Sequence, residues 1–210
     1  MLVSMWMTKN PTCVKVTTSI DEAAQVMQRL KIRRLPVLRD DGERLVGIVS
    51  KRDILHHCSS SKHPFSASGD RLSSDPVGEI MTSRVLAVEW NRPILHAAQL
   101  MRRNKIGALP VLNKKKLVGI ITESDTLDAL VALLTPEGNS LTVTLMLADS
   151  KADWLEELVK TAHEKGARLR SLSHLERDGK EMAIAQIDGN KSQAFVDGLW
   201  RAGYRVLSIS

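Results

Sequence analysis

Hydrophobic positions along the chain change their period several times, and each change marks a predicted element. Val14 and Val16 alternate with polar neighbours as a short strand, and Ser19 with Glu22 forms a capping box that starts a helix. Ile20, Ala23, Ala24, Met27 and Leu30 fall on one face of that helix. Leu35–Leu38 reads as a buried strand, Asp40-Asp41-Gly42 as a turn, and Leu45–Ser50 as the next strand, leading into a second helix. The same succession of periods returns further on, with Pro93 near the first turn of its helix and a shorter turn at Asn113–Lys116.

After a helical run from Asp128 to Leu134 the pattern changes. Leu141–Leu147 alternates as a strand, and Asp153–Lys165 carries Leu155, Leu158, Val159 and Ala162 at helical spacing before Gly166 stops it. Leu169–Leu175 and Glu181–Ile187 flank Arg177-Asp178-Gly179 as a hairpin. A helix from about Gln193 to Ala202 and a strand over Arg205–Ile209 complete a βαββαβ order, that of a ferredoxin-like sandwich. The whole is an α+β chain.

The recurrence in the first two thirds is a duplication. Met7–Leu38 aligns without gaps on Met81–Leu112 with 15 identities in 32 positions, and Arg44–Asp53 on Lys116–Asp125 with five more. Chance pairing matches about one position in fifteen to twenty. Two β-α-β-β-α copies, each too poor in apolar surface to stand alone, are expected to pack as a pseudo-twofold pair. The predicted layout is a first repeat over 1–62, a connecting loop over 63–76, a second repeat over 77–134 and a separate domain over 140–210.

Composition narrows the function. The 210 residues are 43% hydrophobic and 26% charged with two cysteines, which excludes disorder as the main state and a disulfide framework. Cys13 and Cys58 are expected as free thiols. The longest apolar run, Ala129–Leu134, is six residues, where a membrane span needs about 20. No secretory pattern opens the chain, so a cytoplasmic protein is expected. The net charge of +6 arises before residue 139, where 20 Lys and Arg face 14 Asp and Glu. Nucleic acid is one reading of that excess and a small anion another; aromatic stacking platforms are scarce there.

Chemistry concentrates in one motif. Gly47-Ile48-Val49-Ser50-Lys51-Arg52-Asp53 and Gly119-Ile120-Ile121-Thr122-Glu123-Ser124-Asp125 each end a strand on a hydroxyl and place a carboxylate in the next helical turn. Such a carboxylate can accept from both hydroxyls of a ribose, while the hydroxyl and helix-start N–H groups can hold a phosphate. Ser and Asp are equally favoured as plain helix caps, and both readings stay open at this point. His56, His57, Cys58 and His63 lack the paired spacing of a zinc site, so no metal is expected. There is no nucleophile and base set, no GxGxxG and no Gly-Lys-Ser/Thr loop, so no catalytic residue is expected.

The doubled motif, with Leu35-Pro36-Val37 and Leu109-Pro110-Val111, resembles the CBS domain, and two in tandem resemble the paired module that senses adenosine-containing ligands. The C-terminal βαββαβ segment resembles an ACT domain, and the full arrangement is similar to bacterial acetoin utilisation accessory proteins. This likeness implies a non-catalytic regulator with AMP, ADP, ATP or S-adenosylmethionine in the cleft, acting on the ACT half or on a partner enzyme or transporter. It implies two pseudo-symmetric sites: Asp53 and Ser50 facing Ile106, Gly107 and the stretch near Leu86, and Asp125 and Thr122 facing Ile32, Arg33 and the stretch near Thr12. Arg33 and Arg34 in one copy correspond to Gly107 and Ala108 in the other, so phosphate affinity is expected to be unequal. Amino-acid-binding ACT domains place a glycine after the first strand; here the stretch reads Asp149-Ser150-Lys151-Ala152-Asp153-Trp154. Pairing of two chains into a homodimer is therefore the expected use of that domain. The rivals are a nucleic-acid-binding protein using Lys114–Lys116 and a purely structural dimerisation module.

Overall fold

The computed structural model describes residues 1–42, 44–57, 74–134, 140–147, 153–188 and 191–210. Two compact units divide the chain, Met1–Leu133 and Leu134–Ser210.

In the first unit a short helix α1 (Val3–Trp6) and strand β1 (Thr8–Lys9) precede β2 (Val14–Lys15), α2 (Ile20–Leu30), β3 (Arg34–Leu38), β4 (Leu45–Ser50) and α3 (Lys51–His57). The second copy supplies a 3-10 turn at Val77–Glu79, then β5 (Val88–Glu89), α4 (Ile94–Asn104), β6 (Ala108–Asn113), β7 (Lys116–Thr122) and α5 (Glu123–Leu134). Ser19 accepts a hydrogen bond from the Glu22 N–H at 3.2 Å and so starts α2. Both α2 and α4 end on a lysine in the left-handed conformation, Lys31 and Lys105, which turns the chain into β3 and β6. In each copy a two-residue strand pairs parallel with the strand after its helix, and that strand pairs antiparallel with the next. The hairpin between β6 and β7 turns through Lys114 and Lys115, both at positive φ.

The copies exchange their leading segments. β1 pairs with β7 of the other copy, Thr8 opposite Ile120 and Lys9 opposite Gly119. Thr82 makes the equivalent bridge to Ile48. Val3 is buried in the core of the second copy with Met101, Leu109, Val111 and Ile121, and Trp6 and Met7 pack against it. Val77, Ile80 and Met81 join Ile20, Met27, Leu35, Val37 and Ile54 of the first. Gly47 and Gly119 permit this: a Cβ on Gly47 would lie 2.2 Å from the Met81 Sδ, and one on Gly119 would lie 2.5 Å from the Met7 Sδ and 3.0 Å from the Thr8 carbonyl oxygen. Leu30, expected with the α2 core face, is 44% exposed. It occupies the last turn of α2, past the residues that the sheet covers.

The second unit runs β8 (Ser140–Met146), α6 (Trp154–Glu164), β9 (Arg168–Arg177), β10 (Lys180–Asp188), α7 (Ser192–Arg201) and β11 (Arg205–Ile209). Its antiparallel sheet has the order β11-β8-β10-β9, the ferredoxin-like topology expected from the sequence. Asp178-Gly179, both at positive φ, make the β9–β10 turn. Leu158 and Ala162 of α6 and Phe195, Val196 and Leu199 of α7 bury against Val143, Leu145, Ala183, Ala185 and Ile187. Leu155 and Val159, expected on the buried face of α6, are 50% and 47% exposed. The apolar stripe of α6 is wider than the strip the sheet covers. Tyr204 is buried and donates a hydrogen bond to Glu157 Oε2 at 2.6 Å; burial and the neighbouring carboxylate hold its phenol above the ordinary range.

Candidate functional site

Ser50 ends β4 and Asp53 stands in the first turn of α3, so the strand-to-helix corner brings the pair together. Asp53 Oδ2 accepts from the Ser50 backbone N–H and from its hydroxyl, both at 2.7 Å, and Ser50 Oγ accepts from the Asp53 N–H at 3.3 Å. Thr122 and Asp125 repeat the arrangement at 2.7, 2.8 and 3.3 Å. Oδ1 of each carboxylate bonds no described residue. Each helix start is tied to the opening of the neighbouring strand, Lys51 N–H to the Arg33 carbonyl at 2.8 Å and Glu123 N–H to the Gly107 carbonyl at 3.3 Å. The cap reading of the motif is thus realised by one oxygen, and a second oxygen is left for other chemistry.

Two crevices lie between the copies. The first, of about 500 Å³, is lined by Ser50 and Asp53 from one copy and by Thr82, Leu86, Ile106 and Gly107 from the other. That volume is within the usual range of small-molecule sites, ~300–1,000 Å³. The crevice thus brings Ser50 and Asp53 together with Ile106, Gly107 and Leu86, the grouping that the resemblance implies. Cationic side chains dominate its wall: among the described residues, Arg33, Arg34, Lys51, Arg52, Arg84 and Lys105 stand against the single carboxylate of Asp53.

The second crevice, of about 460 Å³, brings Thr122 together with Thr12, Ile32 and Arg33, residues that the resemblance groups with it. Asp125 does not line it, contrary to expectation; Glu123 and Ser124, at the start of α5, form that part of the wall. Leu30 lines it as well, which explains an apolar residue left out of the core. Arg33 and Arg34, expected to serve one copy, border both crevices. They do so because β3 starts between the two, beside Gly107. Arg34 Nη2 and Glu123 Oε2 lie 2.5 and 2.9 Å from the point where a Cβ on Gly107 would sit, so only glycine leaves room for both.

Lys51, Arg52, Arg84 and Lys105 escaped the sequence reading as site residues. A signal existed for two of them: Lys51 and Arg52 fill the variable positions of the motif, where the second copy has Glu123 and Ser124. In the histidine cluster, Arg52 Nε donates to His56 Nε2 at 3.4 Å and His57 Nε2 lies 3.3 Å from Asp75 Oδ2. Cys58 and His63 lie outside the described residues, as do Asp149–Ala152. Among the described residues no three metal-binding side chains converge, and no helix is long and apolar enough to cross a membrane.

The swapped β-α-β-β-α pair with a hydroxyl–carboxylate corner in each copy is the architecture of the CBS domain, whose family model matches residues 3–60 and 77–132. The chain belongs to that family. Among solved structures it is similar to a protein of Vibrio cholerae assigned to acetoin utilization, AcuB, at 34% identity over 64% of this chain and 93% of that one, with a TM-score of 0.53. The CBS domain pair of protein MJ0100, crystallised with 5′-methylthioadenosine and S-adenosyl-L-methionine, is 27% identical over 63% of this chain and 98% of its own, with a TM-score of 0.54. CBSX2, crystallised with AMP, is 30% identical over 63% and 97%, with a TM-score of 0.53.

Proposed function

We propose that this chain is a non-catalytic regulatory protein that binds an adenosine-containing ligand, AMP, ADP, ATP or S-adenosylmethionine, in the crevices between its CBS repeats. The observation that carries the reading is the first crevice, where a carboxylate with one oxygen that bonds no described residue meets the Ile106-Gly107 segment of the other copy in a space of nucleoside size. Asp53 Oδ1 would accept from ribose hydroxyls, Ser50 and the cationic side chains would hold phosphate, and the Ile106-Gly107 segment would border the base. Two related pairs crystallised with such ligands support the class. The second crevice, lined by Thr122, Thr12, Ile32 and Arg33 without Asp125, is the weaker site.

Residues 140–210 act in this reading as an ACT-like domain, on the strength of their βαββαβ order and β11-β8-β10-β9 sheet. They join two chains into a homodimer and receive the movement that ligand imposes on the repeats, or pass it to a partner enzyme or transporter in the cytoplasm. The likeness to AcuB favours a role beside acetoin metabolism. A ligand that binds only the folded form at 100 times its Kd adds about 2.7 kcal/mol of stability. Thermal shift of the full chain with AMP, ADP, ATP and S-adenosylmethionine is expected to raise Tm for at least one. No response to any of them, in folded protein stripped of copurified nucleotides, would remove the sensor reading. Gel-shift titration across a salt series tests the nucleic-acid alternative, which requires retention of duplex at physiological ionic strength.

A further inference from the structure

The two crevices differ in charge far more than in shape. Four cations, Lys51, Arg52, Arg84 and Lys105, border the first crevice and not the second. In the second crevice the shared Arg33 and Arg34 are opposed by Glu123, whose Oε2 and the Arg34 Nη2 both lie within 3 Å of the site of a Gly107 Cβ. Lys51 and Arg52 stand in the motif positions that Glu123 and Ser124 take in the other copy, so the asymmetry lies in the duplicated motif itself.

We propose that the first crevice selects a nucleotide carrying two or more phosphates over a neutral nucleoside or a cationic sulfonium ligand. The inference rests on the adenosine-sensor reading for the nucleoside half of the ligand, while the anion preference stands on the crevice walls alone. One carboxylate is enough to engage a ribose, and six cations are far more than a single phosphate needs. S-Adenosylmethionine brings a sulfonium and an ammonium against one carboxylate, so its net positive charge meets a wall of like sign. A di- or triphosphate neutralises that wall instead. The guanidinium groups of Arg33, Arg34, Arg52 and Arg84 supply planar pairs of donors matched to phosphate oxygens. With Asp53 as the sole carboxylate among the described lining residues, the protein's own cations take the place that a divalent metal usually fills beside a triphosphate.

The test is calorimetric titration of the full chain with adenosine, AMP, ADP, ATP, S-adenosylmethionine and inorganic tripolyphosphate, at low and physiological salt. ADP and ATP are expected to bind at least tenfold more tightly than adenosine and S-adenosylmethionine, with a gap that narrows as salt rises and does not depend on Mg²⁺. Tripolyphosphate is expected to compete with ATP. Arg84→Gln combined with Lys105→Gln, both exposed in the free protein, is expected to narrow the gap by weakening ADP and ATP more than adenosine. S-Adenosylmethionine or adenosine binding as tightly as ADP would overturn the inference while leaving the sensor reading intact. Tripolyphosphate binding without any adenosine compound would end the sensor reading and keep the anion preference. Binding of neither ATP nor tripolyphosphate would overturn the preference as well.

Discussion

Replacing Asp53 separates two roles that one carboxylate can play. Its Oδ2 accepts two 2.7 Å hydrogen bonds from Ser50 and pins the corner between β4 and α3, whereas Oδ1 is the oxygen proposed to meet ligand. Asp53→Ala strands the Ser50 amide and hydroxyl at a half-buried corner and is expected to cost about 1 kcal/mol, the usual price of losing a helix cap. In a domain of this size that lowers Tm by about 2–4 °C. Asp53→Asn keeps an oxygen that can accept from Ser50, so the ligand-free Tm is expected to stay close to that of the parent. Ligand suffers more, because hydrogen bonds to a charged acceptor contribute about 1.5–3 kcal/mol and roughly half of that is lost with the charge. Across two ribose hydroxyls the weakening is about ten- to hundredfold in Kd. Circular dichroism melting of the free protein and calorimetric titration with ADP measure the two effects separately. An Asp53→Ala protein that melts lower but binds ADP with parental affinity would refute the ligand role and reduce the carboxylate to a cap.

Other perturbations report on the remaining architecture. Gly119→Ala drives a Cβ to 2.5 Å from the Met7 Sδ and 3.0 Å from the Thr8 carbonyl; overpacking of this kind costs about 1–3 kcal/mol, visible as a lower midpoint in urea. Because Thr8 and Thr12 line the second crevice, the same variant is expected to alter that site and spare the first, which ligand titration against two-site stoichiometry checks. Tyr204→Phe removes the 2.6 Å bond to Glu157 and is expected to destabilise the C-terminal unit by about 1 kcal/mol. The raised phenol also sets a pH dependence. Its folded value lies above the ordinary 10.0, so its stabilising contribution is full below pH 10 and is lost as pH rises through the folded value. Melting curves from pH 8 upward are expected to fall more steeply for the parent than for Tyr204→Phe. Burial raises the Cys13 thiol, so its alkylation at pH 8 is expected to run slower than that of a small free thiol.

Much of this was legible in the residues. Hydrophobic pattern and turn chemistry located β4 and β11 at their observed limits, Leu45–Ser50 and Arg205–Ile209, because turn or helix signals bound each strand sharply. The resemblance to the CBS module, carried by the doubled motif, implied Ser50 and Asp53 facing Ile106, Gly107 and the stretch near Leu86, and all five residues line one crevice. The exchange of leading segments was not legible. Met7 and Met81 are the same residue in equivalent contexts, so either copy offers each of them the same glycine to cover, and burial patterns cannot choose between identical hosts. Likewise, helical spacing identifies Leu30, Leu155 and Val159 as apolar, but it cannot say how far a sheet extends beneath them. The crevice cations were missed for a third reason. Arg84 and Lys105 reach it from separate loops, and no local pattern links two exposed charges that meet only through tertiary structure.

The crossed-over leading segments make the duplicated halves interdependent as hereditary material. Neither half holds a full set of walls, so a recombination joint placed between them severs a sheet edge and a methionine lid from their proper seats. Gene shuffling that moves this pair of repeats from one host to another must carry both copies as one cassette, because each methionine and the glycine it covers stand 34 or 112 codons apart.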